Sequence, residues 1–220
     1  MTDMHICICG YYYRPEFFEV IKDVHFKYPV HVVANKTWGD NDVPKNIPVS
    51  ERDNLGLEWG AYDFYLHHVW DEKSPVLFLH DDIRFKWVIR NYEIMDPIHI
   101  FNTINNIDQD QVYFFESLDF AERNYFIHGR AFKCSARFLK RLLDDNNGFL
   151  YDENNDGFIR GPRPVHCKHF NWADYRFAEY IKKLNRKVNW EIGGYIIAPA
   201  LECATRGRFD NEVDGPMNEE

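Results

Sequence analysis

The run Leu77-Phe78-Leu79-His80-Asp81-Asp82 carries the chemistry that most needs explaining. A short, continuous apolar stretch is the pattern of a strand buried on both faces, and this one ends abruptly in a histidine and two acids. Adjacent carboxylates at the mouth of a buried strand repel each other and lose solvation. A cation that bridges them to something else relieves both costs. Hard oxygen ligands favour Mg2+ or Mn2+, which take one or two carboxylates plus substrate phosphates. An ion held there would neutralise a diphosphate and stabilise it as a leaving group. The same residues also suit a plain polar turn.

Other clusters point less far. His166, Cys167 and His169 stand close together but lack the distant second pair of a structural zinc site. Asp152-Glu153-Asn154-Asn155-Asp156-Gly157 matches the first half of a calcium loop. Arg163 occupies the position that needs Glu, and Pro162 and Pro164 block the helix that should follow. A loop over a ligand site is the better reading, with Arg160, Arg163 and Lys168 as cations for a diphosphate. The chain has no P-loop, no GxGxxG, no GxSxG and no HExxH pattern.

These residues need elements to position them. His5–Cys9 is a short apolar strand that ends at Gly10. Pro15 opens a helix with Phe17, Phe18, Ile21 and Val24 on one face, and Pro29 stops it. Val30–Ala34 is a second strand, Ile47–Val49 a short third, and Leu57–Val69 a helix. In that helix Leu57, Ala61, Phe64, Tyr65 and His68 repeat at helical spacing. Val76–Leu79 is the strand that leads into the acids. Strands alternating with helices predict an α/β fold, a mainly parallel sheet flanked by helices. Further along, the pattern predicts helices from Pro97 to about Asn105, over Ala131–Leu143 and over Ala173–Leu184. Val112–Phe115, Tyr125–Ile127 and Tyr195–Ala198 read as strands, and Asp144–Arg163 as loop. In open α/β sheets ligands bind beyond the carboxyl ends of the strands. Three places there are unusual: Gly10–Arg14, Asn35–Thr37 and His80–Asp82.

Composition narrows the function. Asp and Glu number 35 against 26 Lys and Arg, and the net charge of −9 argues against a nucleic-acid binder or a polybasic membrane anchor. An acidic protein that binds a diphosphate needs local positive charge, from a metal or clustered cations. Aromatic residues make up 17% of the chain, which serves a core and also offers stacking faces for sugars or bases. The odd set Cys7, Cys9, Cys134, Cys167 and Cys203, without CxxC, reads as reduced thiols. No stretch approaches the roughly 20 apolar residues of a membrane span. The expectation is a cytoplasmic protein.

Asn54-Leu55-Gly56-Leu57-Glu58-Trp59-Gly60-Ala61-Tyr62-Asp63, one helix ahead of the acids, extends the pattern: Asn-x-Gly, a small-residue helix start, then an apolar strand ending in acids. This arrangement resembles GT-A glycosyltransferases, above all family-2-like enzymes between Asn54 and Asp82. It is similar in particular to small GT-A domains with which large DNA viruses glycosylate capsid proteins. The resemblance covers Met4 to about Phe85 well and the rest loosely. It implies one GT-A domain over residues 1–205, with a nucleotide-binding half (1–90) and an acceptor and catalytic half (91–205), and over 206–220 a flexible tail or a linker into a longer multidomain chain.

The resemblance also implies roles. Asp82 matches the last acid of a D-x-D motif, the usual metal ligand. Asp81 would face the ribose or donor sugar and share in catalysis, while His80 stands where the family has its first acid. Gly10, Tyr11 and Arg14 follow the first strand, where the nucleotide binds; Tyr11 would stack on the base and Arg14 meet phosphate. Asn35, Lys36, Asn54, Gly60 and Ala61 are further nucleotide-side candidates. His128 and Gly129, ahead of Arg130 in an expected strand-to-helix turn, would line the donor sugar. Asp174 would be the base that deprotonates the acceptor hydroxyl. A third metal contact would come from His169 or His166, with His169 preferred. The implied donor is a UDP-sugar, the cofactor Mn2+ or Mg2+, and the acceptor a glycan or glycoprotein; retention or inversion stays open. A sugar nucleotidyltransferase would carry a glycine-rich phosphate loop where this chain has Gly10-Tyr11-Tyr12-Tyr13-Arg14. A non-catalytic nucleotide-sugar-binding module is the other reading, and His80 in place of an acid suits it.

Overall fold

The computed structural model describes residues 3–35, 45–54, 56–85, 89–90, 93–94, 97–106, 112–114, 131–145, 177, 180, 192–193 and 201–203. The first strand, β1 (His5–Gly10), is fully buried from Ile6 to Cys9. Helix α1 (Pro15–His25) starts with Pro at its first position and Glu16 in its first turn, and carries Lys22 and His25 in its last. Each suits its end of the helix dipole. Phe17, Phe18, Ile21 and Val24 form its buried face, as their spacing predicts. Strand β2 (Val30–Ala34) follows, then β3 (Val49–Glu51). This third strand lies two residues later than its apolar run suggests. Pro48 has no N–H to give a ladder, and its carbonyl accepts from Val32 instead, at 2.9 Å.

Helix α2 (Leu57–His68) leads to β4 (Val76–His80). Gly56 precedes α2 at φ 77°, a left-handed turn that glycine takes without penalty. The buried face of α2 is Trp59, Ala61, Tyr62 and Tyr65, whereas Phe64 is half-buried and His68 exposed. The short strands β5 (Ile83–Phe85), β6 (Ile89–Arg90) and β7 (Glu93–Ile94) come next, then α3 (Pro97–Asn105) and β8 (Val112–Phe114).

The expected helix over Ala131–Leu143 is two elements. Ala131–Cys134 is strand β9, and α4 runs Ala136–Asp145. Ser135 divides them as an N-cap: its hydroxyl accepts the Phe138 amide at 3.0 Å. In β9, Phe132 and Cys134 enter one core layer and Ala131 the other, the alternation of a strand. His128–Arg130 therefore precede a strand, not a helix. Residues 144–145 of the expected loop close α4, and 146–163 lie outside the described residues. Two strands the pattern did not suggest are β10 (Ile192–Gly193) and β11 (Leu201–Cys203). Tyr125–Ile127 and Tyr195–Ala198 lie outside the described residues. Of Ala173–Leu184, the helical residues Phe177 and Tyr180 are described, and both are buried.

The main sheet runs β10-β8-β9-β4-β1-β2-β3. The pairs β1–β2, β2–β3, β1–β4 and β8–β10 are parallel, and β9 is antiparallel to both neighbours. Antiparallel pairs also join β5 to β11 and β6 to β7. The sheet is thus mainly parallel, and it is covered on both faces. Ile6, Ile8, Val32, Leu77 and Leu79 pack with α1 and α3. Cys7, Cys9, Val33, Phe78 and Phe132 pack with α2 and α4. Burial on both faces explains why β1 and β4 read as unbroken apolar runs. On the α2–α4 side, Phe132 stacks on Phe78 and on Trp59, and Phe177 closes on the same rings. A cavity of about 20 Å3 between these helices is lined by Trp59, Tyr62, Phe78, Phe132 and Phe177 and belongs to this apolar packing. The thiols of Cys7, Cys9 and Cys134 are free and buried. No described helix is long and apolar enough to cross a membrane.

Candidate functional site

Strand β1 is the pivot of the topology. The chain leaves it to build β2 and β3 on one side, then returns to place β4 on the other. A crevice opens at such a reversal, outside the carboxyl ends of the strands. Here the register pairs Cys9 with His80 and Gly10 with Ala34. The segments after β1, β2 and β4 therefore leave the sheet side by side. The Asp81 amide donates to Cys9 O at 3.0 Å, and the Asn35 amide to Gly10 O at 2.9 Å. Strand β11 pairs with β5, so Cys203 comes beside Ile83, directly after the acids.

Asp81 is fully buried, and its Oδ2 accepts three consecutive amides: Tyr11 at 2.8 Å, Tyr12 at 2.8 Å and Tyr13 at 2.7 Å. Burial raises its pKa; His80 and the Tyr13 and Tyr11 amides pull the other way without cancelling the rise. Its Oδ1 receives no hydrogen bond among the described residues and faces His80 Nδ1 at 3.4 Å.

Asp82 is 1% exposed and its Oδ1 lies 3.0 Å from His80 Nδ1. The Asp82 amide also stands 3.3 Å from Nδ1, a contact that needs a neutral ring. The two exclude each other at one nitrogen. Burial alone lowers the His80 pKa, but the Asp82 carboxylate, by charge and by hydrogen bond, outweighs it and carries it well above its ordinary value. The charged ring paired to Asp82 is the favoured form. Burial raises the Cys9 thiol to about 11, so it stays protonated beside the ring.

The predicted site residues divide into three groups. Gly10, Tyr11, Asn35, His80, Asp81 and Asp82 come together at the crevice. Arg14 caps the start of α1, and its guanidinium is paired to Glu16 at 3.4 Å. Asn54, Gly60 and Ala61 are described elsewhere: Asn54 is exposed ahead of α2, and Gly60 and Ala61 are buried in that helix, Ala61 within the apolar core. Lys36, His128, Gly129, Arg160, Arg163, His166, Lys168, His169 and Asp174 lie outside the described residues.

Two residues that the pattern did not single out belong with the first group. Cys9 pairs with His80 across β1 and β4, and its side chain bonds to the ring. Arg52, just past β3, donates from Nη1 to Asn35 Oδ1 at 3.1 Å, while Asn35 donates to Cys9 Sγ at 3.5 Å. A charged residue immediately after the third strand, Ser50-Glu51-Arg52, was the available signal for it.

Among the described residues no group of three or more His, Cys, Asp or Glu side chains is arranged to hold a metal ion. The donors at the crevice are nonetheless of the right kind. Asp82 brings a carboxylate, a hard oxygen ligand, to the end of β4, while Asp81 Oδ1, which accepts no hydrogen bond among the described residues, faces His80. A divalent ion that takes one or two carboxylates and fills its shell with water and phosphate fits that set.

No family model and no curated protein sequence matches the chain. Among solved structures it is similar to the glycosyltransferase GlyE of Streptococcus pneumoniae TIGR4, at 10% identity and a TM-score of 0.44, over 87% of this chain and 45% of that one. The apo form of GlyE is similar at 11% identity and a TM-score of 0.38, over 91% of this chain and 54% of that one. The chain thus spans about half the length of the solved structures it matches.

Proposed function

We propose that this chain is a glycosyltransferase that moves a sugar from a nucleoside-diphosphate sugar, with UDP as carrier, to a hydroxyl of a glycan or glycoprotein. The observation that carries the reading is the buried acid pair Asp81–Asp82 at the reversal between β1 and β4. That is the place where an open α/β sheet receives a nucleotide. Asp82 is the metal ligand in this reading, and Mn2+ or Mg2+ when bound supplies neutralisation of the departing diphosphate. Tyr11 offers a ring to the base. His80 holds the Asp82 carboxylate in place, and Arg52 and Asn35 fix the floor between β2 and β3. Asp174 as acceptor base, His169 or His166 as a further metal ligand, and His128 with Gly129 beside the donor sugar complete the proposal. So do the cations Lys36, Arg160, Arg163 and Lys168.

A second reading is a nucleotide-sugar-binding module without turnover. It is favoured by the ion pair of His80 with Asp82, which already gives that carboxylate a cationic partner.

Calorimetry with UDP, in Mn2+ and in chelator, on the wild type and Asp82→Ala tests the first reading. Metal-dependent binding that Asp82→Ala abolishes is the expected result, and release of UDP from a UDP-sugar then separates enzyme from module. A wild type that binds no UDP in either condition would overturn the donor assignment.

A further inference from the structure

We infer that Asp81 is a positioning residue. It shapes the loop after β1 and acts on the ligand of this crevice through Tyr11 and Tyr12, without touching that ligand itself. The inference rests on the nucleotide-sugar reading for the identity of the ligand, but its structural half stands on geometry alone.

The Asp81 side chain has no surface to offer: it is fully buried. Oδ2 is used by the amides of Tyr11, Tyr12 and Tyr13 at 2.7–2.8 Å, and Oδ1 faces inward at His80. Consecutive amides can converge on one oxygen only if the backbone curls around it, as in the concave nests that bind anions. The loop does curl. Tyr13 sits at φ 57°, a left-handed conformation that costs a non-glycine residue energy and persists only where the surroundings impose it. The imposing group is the carboxylate, since charge-assisted hydrogen bonds of this length are the strong ones.

The curl has an outward consequence. Tyr11 and Tyr12 are among the large apolar side chains that the molecule exposes, at 37% and 38%. Their rings meet edge to face at 5.2 Å, and the Tyr12 ring lies 5.6 Å from the His80 ring. A pair of exposed rings thus stands beside His80, its backbone held by Asp81. Such a pair suits a flat partner, a nucleobase or the apolar face of a sugar.

The test combines two readouts on wild type, Asp81→Asn, Tyr12→Ala and the double variant. The first is UDP affinity in Mn2+ by calorimetry. If Asp81 works through the loop, Asp81→Asn weakens binding roughly tenfold in the wild type and far less in the Tyr12→Ala background, because the two changes remove one shared effect. Losses that multiply independently overturn the proposal. The second readout is amide hydrogen exchange, which needs no ligand. Asp81→Asn should speed exchange at Tyr11, Tyr12 and Tyr13 by roughly 10- to 100-fold, the loss of charged acceptance, while Ile8 in β1 is unchanged. Undiminished protection at those three amides overturns the proposal. A wild type that binds no UDP removes the donor reading, and the exchange result still decides whether Asp81 holds the loop. If Asp81→Asn does not fold, Asp81→Glu, which keeps the charge and displaces the oxygens, serves both readouts.

Discussion

His80 Nδ1 lies 3.0 Å from Asp82 Oδ1, and the two side chains are 10% and 1% exposed. Each partner removes the other's reason to be costly in a buried place. Truncating one leaves a buried charge without compensation, which is why breaking such a pair costs more than the pair contributes. His80→Ala should therefore lower stability by about 3 kcal/mol. Urea denaturation checks it, and adding Asp82→Asn in the same chain should recover part of the loss. A single variant as stable as the wild type would show that Asp82 is solvated.

Phe132 is the ring on which the α2–α4 layer converges. It stacks on Phe78 with centroids 4.8 Å apart and on Trp59 at 5.6 Å, and it meets Phe177 at 5.2 Å. Phe132→Ala opens a hole among stiff rings that cannot collapse into it. The expected loss is about 4 kcal/mol by denaturant unfolding. Phe132→Leu, which keeps most of the volume, should cost roughly 1 kcal/mol.

Lys133 is 1% exposed, yet it sits on a central strand. Its Nζ donates to Ile104 O at 2.8 Å and Asn105 O at 3.2 Å, the last carbonyls of α3. The cation meets the negative end of the helix dipole and satisfies acceptors the helix cannot. Lys133→Met preserves the stem but strips those carbonyls of their donor. A destabilisation of about 2 kcal/mol is expected, together with faster exchange in α3.

Asp71 governs the acid limb. Its Oδ1 accepts the amides of Lys73 at 2.9 Å and Ser74 at 2.8 Å, and its Oδ2 accepts the Ser74 hydroxyl at 2.8 Å. Partial burial raises its pKa, but these bonds and His5 carry it down from 3.8 to about 2. The folded value lies below the unfolded one. The stabilisation is therefore complete above the usual 3.8 and drains away as pH falls to about 2. Asp71→Asn should flatten the loss of stability across that interval in acid denaturation curves, and leave the slope above pH 5 unchanged.

Much of the first half of the fold was legible because its punctuation is strong. Gly10, Pro15, Pro29 and Ser74-Pro75 bracket apolar runs whose period leaves little choice. Strand β9 was hidden because Phe132 also fits the helical spacing that leads into Leu139 and Leu142, and only Ser135 marks the join. Strands β10 and β11, of two and three residues, are too short to show a period. The acid pair announced itself, since Asp81-Asp82 after Leu77-Phe78-Leu79 contradicts its surroundings. Its partners did not. Nothing in spacing says that an oxygen of Asp81 meets amides 68 to 70 residues earlier, or that Arg52 reaches Asn35. Those contacts are properties of the sheet order, which brings β4 against β1.

The same long separation ties the loop after β1 to the completed sheet. The amides of Tyr11, Tyr12 and Tyr13 have their common acceptor only once β4 lies beside β1. A nascent chain that has finished β1, α1 and β2 holds a strand and a helix with an unformed bend between them. That bend takes its observed shape only when Val76–His80 docks beside β1. Long-range closure of this kind is slow, because the chain entropy is lost before the contact rewards it. The loop after β1 therefore depends on the register of β4: a slip of one residue would turn the β4 side chains to the opposite faces and carry Asp81 away from its three amides.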